Sequence, residues 1–488
     1  MEEALLTTET GGAREPKGAA SSLAWSGCGE GLIEEARRIG YVAAPMVAVT
    51  VSQYLVQVVS SMMVGHLGEL ELAGAAIASS LTSVTGFSLL LGMASGLETL
   101  CGQAYGAKQY QMLGIHTYRA IFSLLVTCIP ISLLWVSMGK LLCLMGQDLL
   151  ISEEAGKYAM WMIPGLFAYA IAQPLMKFLQ SQSLILPMLL SSLTTLCLHI
   201  PMCSVLVFKT GLRNVGAALS ISVSYWLNLL MLGLYIRYSD SCKTTRVPIS
   251  KEALKGLSEF LQFALPSALM ICLEWWSFEL LTLLSGFLSN PQLETSVLSI
   301  CLTTISLLYC IPYGLGCAAS TRVSNELGAG NPKVAQLAVV MTVFVAASEA
   351  ALVSGTLLAL RHVLGYAYSN VEEVVNYVTE MAPLVCYTVI FDSLQAVLSG
   401  VARGCGWQHL GAFVNLGSFY LVGIPIALVL GFLLHVGGKG LWIGIMCGST
   451  TQTILLALIT SSTNWQHQVT MARERTNEER LTLQNELK

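Results

Sequence analysis

The sequence predicts an all-α, polytopic membrane protein of twelve transmembrane helices in two pseudo-symmetric six-helix lobes. Three observations predict it. Of 488 residues, 54% are hydrophobic and 11% charged, against about 25% charged in a soluble protein. Twelve apolar runs are each long enough to cross a bilayer. The chain also matches itself when shifted by about 220 residues.

Crossing the hydrocarbon core takes about 20 mostly apolar residues. In chain order the runs that qualify are 41–64, 72–97, 120–139, 158–176, 183–208, 214–236, 260–288, 295–321, 334–360, 381–402, 410–434 and 440–461. Eight carry no Asp, Glu, Lys, Arg or His; the other four hold His199, Glu274 with Glu279, Glu349 and Asp392. Backbone groups in lipid must bond within their own segment or a closed barrel. These runs are too long and too little alternating for barrel strands, so they are helices. Pro45, Pro130, Pro164, Pro266, Pro312 and Pro383 mark places where a spanning helix bends.

Twelve spans put both termini on one side. Of the 25 Lys and Arg residues, nineteen fall on that side and six opposite, so the positive-inside rule makes the termini cytosolic. The expected organisation is a cytosolic tail at 1–33, a first lobe at 34–237, a cytosolic connection at 238–257, a second lobe at 258–462 and a tail at 463–488, mobile or a surface helix. No cleavable signal peptide is seen in the polar start, where Glu2–Leu5–Leu6 would suit a sorting signal. The fourteen cysteines lack metal or disulfide spacing and read as small hydrophobes. A net charge of −4 leaves no footprint for nucleic acid.

The internal repeat keeps its order along the chain. At a shift of 221, Pro45 falls on Pro266, Gly65 on Gly286 and Leu67 on Leu288. At 222, Gly92 falls on Gly314, Thr99 on Thr321, Gly106 on Gly328 and Ala107 on Ala329; at 219, Pro164 falls on Pro383, Leu175 on Leu394 and Leu179 on Leu398. Six spans per half make the copies parallel, an arrangement of secondary transporters that work by rocking two lobes. Walker-type phosphate loops are absent, which argues against direct use of ATP.

An acid at the centre of a membrane helix costs about 2.5–3.5 kcal/mol on insertion scales, so the intramembrane acids are the functional candidates. The repeat sharpens two of them: Glu274 falls on Gln53, and Asp392 on Gln173. A carboxyl exchanges protons and an amide does not. Glu274 lies 14 residues past Phe260, about 21 Å along its helix, and Asp392 lies 11 past Met381, about 16 Å from the opposite side. Both depths fall between the midplane and the outer leaflet, where the two can share a cavity. Around the first acid the run Glu274-Trp275-Trp276-Ser277-Phe278-Glu279 places indoles beside carboxylates, a combination that suits flat organic cations through cation–π contact. Tyr387, five positions before Asp392, is expected on the same wall, and Glu349 reads as a helix-contact acid.

Five motifs together resemble the multidrug and toxic compound extrusion (MATE) family, plant detoxification-type branch, over about 35–462. They are Gly65-His66-Leu67-Gly68 with Leu72-Ala73-Gly74; Gly96-Leu97-Glu98-Thr99-Leu100-Cys101-Gly102-Gln103-Ala104-Tyr105-Gly106-Ala107; Cys272-Leu273-Glu274-Trp275-Trp276; Arg322-Val323-Ser324-Asn325-Glu326-Leu327-Gly328-Ala329-Gly330-Asn331; and Gly400-Val401-Ala402-Arg403-Gly404-Cys405-Gly406-Trp407-Gln408. The resemblance implies a proton-driven antiporter that exports amphipathic, often cationic organic compounds. It implies proton coupling at Glu274 and Asp392, with Gln53 replacing the first-lobe acid of some bacterial relatives. Substrate contacts are expected from Glu274, Trp275, Glu279, Tyr387, Asp392, Gln53 and Gln173, and gating from Glu98, Arg322 and Glu326.

The expected partners are a small organic substrate, protons and membrane lipid, with no nucleic acid, no metal and no cofactor beyond the proton gradient. A monomer in the plasma or vacuolar membrane is expected. The alternative is a flippase or an organic-anion or hormone exporter of the same superfamily. The seven histidines form no metal-ligand spacing, and no His-Glu-x-x-His occurs, so no enzyme is expected.

Overall fold

The computed structural model describes residues 19–248 and 255–486, with side chains over 33–248 and 255–478. Arg14, Lys17, Lys251, Lys488 and the Glu2–Leu5–Leu6 region lie outside those residues. The described chain is helical, without strands.

Among the described residues, twelve helices are long and apolar enough to span a membrane. The first lobe holds α1 (Ala19–Gly65), α2 (Glu69–Gly106), α3 (Tyr110–Val136), α4 (Leu149–Ser181), α5 (Ile185–Lys209) and α6 (Arg213–Tyr238). The second holds α7 (Leu257–Ser285), α8 (Pro291–Ala329), α9 (Pro332–Ala359), α10 (Glu372–Cys405), α11 (Gln408–Leu433) and α12 (Gly438–Ser461). Leu186, Leu190, Leu421 and Leu433 are exposed, a belt that only lipid would cover. The chain is a multi-pass membrane protein.

Several helices outrun their apolar cores. α2 reaches Gly106, α8 reaches Ala329, and α10 starts at Glu372. The added turns of α2 and α8 carry polar and charged residues among apolar ones, and they pack between the lobes. All six prolines named above lie inside helices. Composition did not reveal the π-helical stretches, which also bend helices: Ser83–Phe87 in α2, Val205–Lys209 in α5, and Leu416–Gly423 with Val429–Leu433 in α11. At Ser83–Phe87 the Val84 carbonyl accepts from the Trp276 indole of α7 (3.0 Å), so the loosened ladder is tied to the other lobe.

The lobes meet along two seams that repeat each other: α1 lies on α8 and α2 on α7. Gly92 abuts Ala268, and its repeat equivalent Gly314 abuts Val47, the equivalent of Ala268. Nearer the side bearing the termini, Gly106 faces the Asn325 carbonyl, while its equivalent Gly328 faces the Gln103 carbonyl. The offset in the sequence is thus a twofold relation in space.

Within the tail expected at 463–488, Trp465–Glu486 forms a helix, α13, whose first turns are docked. Trp465, Val469 and Ala472 are buried. Gln468 accepts from the Trp407 indole (3.1 Å), and Arg475 donates to Gln103 Oε1 of the first lobe (2.6 Å) while lying over the Phe263 ring of the second (4.9 Å).

Candidate functional site

Between the lobes lies a cavity of about 440 Å³ walled by both. α1 supplies Gln53 and Gln57, α2 Phe87, α4 Tyr169 and Gln173, and α6 Tyr225 and Asn228. Facing them are Glu274, Trp275, Phe278 and Glu279 of α7, Tyr309 and Tyr313 of α8, and Asp392 of α10. Six of the seven residues expected to contact substrate therefore line one space.

Tyr387 does not. Five residues make about 140° of helix rotation, which turns it away from Asp392. It is 38% exposed, stacks on Phe391 and shares a hydrogen bond with Thr450 (3.1 Å). Glu349 on α9 is also absent from the cavity wall. Tyr387→Phe is expected to leave transport within about twofold of wild type, the range of an ordinary surface substitution. Uptake by the variant checks it.

The two walls differ in chemistry. In the first lobe Gln53 Nε2 and Gln173 Nε2 both reach Met176 Sδ, at 3.4 and 4.0 Å, and Phe87, Tyr169 and Tyr225 pack ring on ring at 5.0–5.7 Å. In the second, Glu274 sits in a cage of uncharged donors. Gln395 Nε2 donates to Oε2 at 2.6 Å, Gln452 Nε2 at 3.2 Å and Asn415 Nδ2 at 3.5 Å, while Tyr309 OH donates to Oε1 at 3.3 Å. Among the described residues no salt bridge reaches Glu274. The cage holds the carboxyl in place without cancelling its charge, so that charge remains available to a proton or an organic cation. Asp392 is buried on the same wall, one helical turn before Gln395. Glu279 lines the wall and also accepts from Ser80 of α2 (2.7 Å), crossing the seam.

On the side bearing the termini the space is closed by charge. Glu98, expected at a helix end, is 4% exposed and held between lobes: Lys177 Nζ donates to Oε1 (2.5 Å) and Arg403 Nε to Oε2 (2.9 Å). Thr99 donates to the Arg403 carbonyl, and Gln103 donates to the Gly404 carbonyl (3.1 Å). Arg322 forms a fork onto Glu35 of α1, Nε to Oε1 at 2.9 Å and Nη2 to Oε2 at 3.0 Å, and pairs with Glu326 on its own helix at 3.1 Å. Lys177 and Arg403 escaped the sequence reading because basic residues near helix ends look like positive-inside anchors, and Glu35 because it lies outside the apolar runs. Gln395, Asn415, Gln452 and Tyr309 escaped because nothing in a single sequence sets one helical amide or phenol apart.

The MatE family model matches residues 45–205 and again 266–429, one copy in each lobe and offset by the 221 residues of the repeat. The chain belongs to the MatE family. The chain is 56% identical over 446 residues to protein DETOXIFICATION 14 of Arabidopsis thaliana, covering 91% of this chain and 92% of that one. To protein DETOXIFICATION 12 of the same plant it is 54% identical over 455 residues, covering 93% and 95%. The crystal structure of the eukaryotic MATE transporter AtDTX14 superposes with a TM-score of 0.89 at 56% identity, over 91% of this chain and 100% of that chain. A MOP superfamily transporter from Pyrococcus furiosus shares the fold at 17% identity, with a TM-score of 0.79 over 90% and 97%. The MatE chain is accordingly a transporter.

Proposed function

We propose that this MatE transporter is a proton-coupled antiporter that moves amphipathic organic cations out of the cytosol, with both termini cytosolic. The observation that carries the reading is the uncharged cage around Glu274, in a cavity whose opposite wall replaces both acids by amides. Ionised, Glu274 and Asp392 attract a cation, and Trp275 and Tyr309 give its flat face a surface. Protonated from the acidic outer or lumenal side, they release it. Such a cycle needs no cofactor or second copy of the chain, and it fits the plasma and the vacuolar membrane equally.

The closed charge cluster on the terminus side supports an alternating cycle, with the cavity sealed from the cytosol in the state described. An anion exporter or lipid-linked polyanion flippase would need cations facing the cavity. Lys177 does line it, but its charge is engaged by Glu98.

Each pH unit supplies about 1.36 kcal/mol per proton, so a two-unit gradient sustains roughly 100-fold accumulation. Glu274→Gln and Asp392→Asn should each abolish that accumulation in a proteoliposome pH-jump assay while leaving the melting temperature near wild type. Undiminished pH-driven uptake by both variants refutes the reading.

A further inference from the structure

Beneath the main cavity and sharing part of its wall, on the side of the seal, lies a small chamber of about 20 Å³ whose lining includes Glu274, Tyr309, Tyr313, Gln395, Ser399 and Arg403 beside apolar side chains. A water needs about 10–15 Å³ of such space and two to four polar partners, and this lining offers both. The repeat explains why the chamber exists. At the shift of 219, Ser399 is the equivalent of Gln180, whose longer side chain reaches the Cys317 carbonyl (3.2 Å) and Thr321 Oγ1 (3.3 Å) and accepts from Lys177 (3.2 Å). Serine at 399 is too short to fill the corresponding place. Gln395 spans the upper wall, donating to Glu274 (2.6 Å) and to Ser399 Oγ (3.2 Å).

We propose that this chamber holds an ordered water that joins the Glu274 carboxyl to the Arg403 guanidinium, making the seal sense the proton on Glu274. The inference rests on the antiport reading above. Asp392, Gln395, Ser399 and Arg403 follow one another at three- and four-residue steps, so a single face of α10 carries the link from cavity to seal.

Charge balance gives the link its direction. The titratable groups facing the chamber are Glu274 of α7, Tyr309 and Tyr313 of α8, and Arg403 of α10, with Asp392 above; behind Arg403 stand Glu98 of α2 and Lys177 of α4. Lys177 and Arg403 against Glu98 leave one surplus positive charge, buried and costly. An ionised Glu274 offsets it through the water. A proton on Glu274 removes the offset, and opening the seal lets water hydrate Arg403. Proton loading then favours opening toward the terminus side, the direction an importing proton requires.

Cys405, 3% exposed beside Arg403, reports the seal when its own peptide is read by mass spectrometry, since other free cysteines such as Cys143 and Cys197 are exposed. In proteoliposomes labelled with maleimide from the terminus side at fixed pH, acidifying only the opposite side should raise wild-type Cys405 modification, by up to about tenfold per pH unit. Ser399→Val fills the chamber with methyl groups and should abolish this response. Ser399→Ala loses the Gln395 bond but keeps the space, and should retain it. A wild type indifferent to pH, a Ser399→Val response equal to wild type, or loss in Ser399→Ala as well would each overturn the proposal. If Ser399→Val does not fold, a high-resolution structure of the wild type decides: a dry chamber overturns it, and a water bridging Glu274 and Arg403 upholds it. Pseudo-wild-type behaviour of Ser399→Val together with a dead Glu274→Gln refutes this link alone, whereas undiminished pH-driven uptake by both Glu274→Gln and Asp392→Asn refutes the antiport reading beneath it.

Discussion

Exchange of Glu98 for glutamine should destabilise the closed seal by about 3–5 kcal/mol, the cost of removing one partner from a buried ion pair. Lys177 and Arg403, 3% and 5% exposed, would be left facing an amide that cannot cancel their charge. Full unfolding is not the cheapest relief. Parting the lobes on the terminus side hydrates both cations, so maleimide labelling of Cys317 and Cys405, both buried at the seal, should rise before the melting temperature falls far. Removing one of the stranded cations should restore part of the loss, making Glu98→Gln with Lys177→Met better sealed than Glu98→Gln alone. Equal labelling in Glu98→Gln and wild type would show that the cluster does not hold the lobes together.

Alanine at Gly328 and at Gly106 should prevent the same closure by steric means. A Cβ at Gly328 would overlap the Gln103 carbonyl, and one at Gly106 the Asn325 carbonyl. Backbone cannot swing aside as a side chain can, so each methyl should cost the closed state about 1–3 kcal/mol, the usual range for overpacking. The two sites are repeat equivalents on one seam, and the double variant should be the more severe. Transport should fall at least in proportion, about tenfold or more for 1.4 kcal/mol. Gly233, with open space around its Cβ position, provides the control: Gly233→Ala in mid-helix should stabilise by roughly 0.5–1 kcal/mol and leave transport intact. Loss of transport in that control, or none at Gly328 and Gly106, contradicts the argument.

How much of this was legible in the chain differs from feature to feature. The helices were, because lipid tolerates so few alternatives and the charge-poor runs are long. The twofold was, because Gly92, Gly106 and their partners preserve order at a near-constant offset. The cavity acids were, because an acid buried in an apolar run stands out against its amide twin. The ion pairs of the seal were not: Glu98 to Lys177 and Arg403, and Arg322 to Glu35, join residues up to 305 positions apart, and charge alone does not say which ends converge. Tyr387 shows the opposite failure. Proximity in sequence suggested a shared wall, and helical rotation turned it away. Glu279 lies the same five residues from Glu274, yet it remains on the wall, where it also accepts a hydrogen bond from Ser80 across the seam.

The docked terminal helix has a practical corollary. α13 touches both halves through Arg475, so in the alternating cycle proposed above it would act as a strap across the gap that widens on the terminus side. Shortened expression variants that stop after α12 would lose that strap and rest in a different balance of states. Kinetic comparisons between versions with and without α13 would mix the behaviour of the transporter with the loss of its tether.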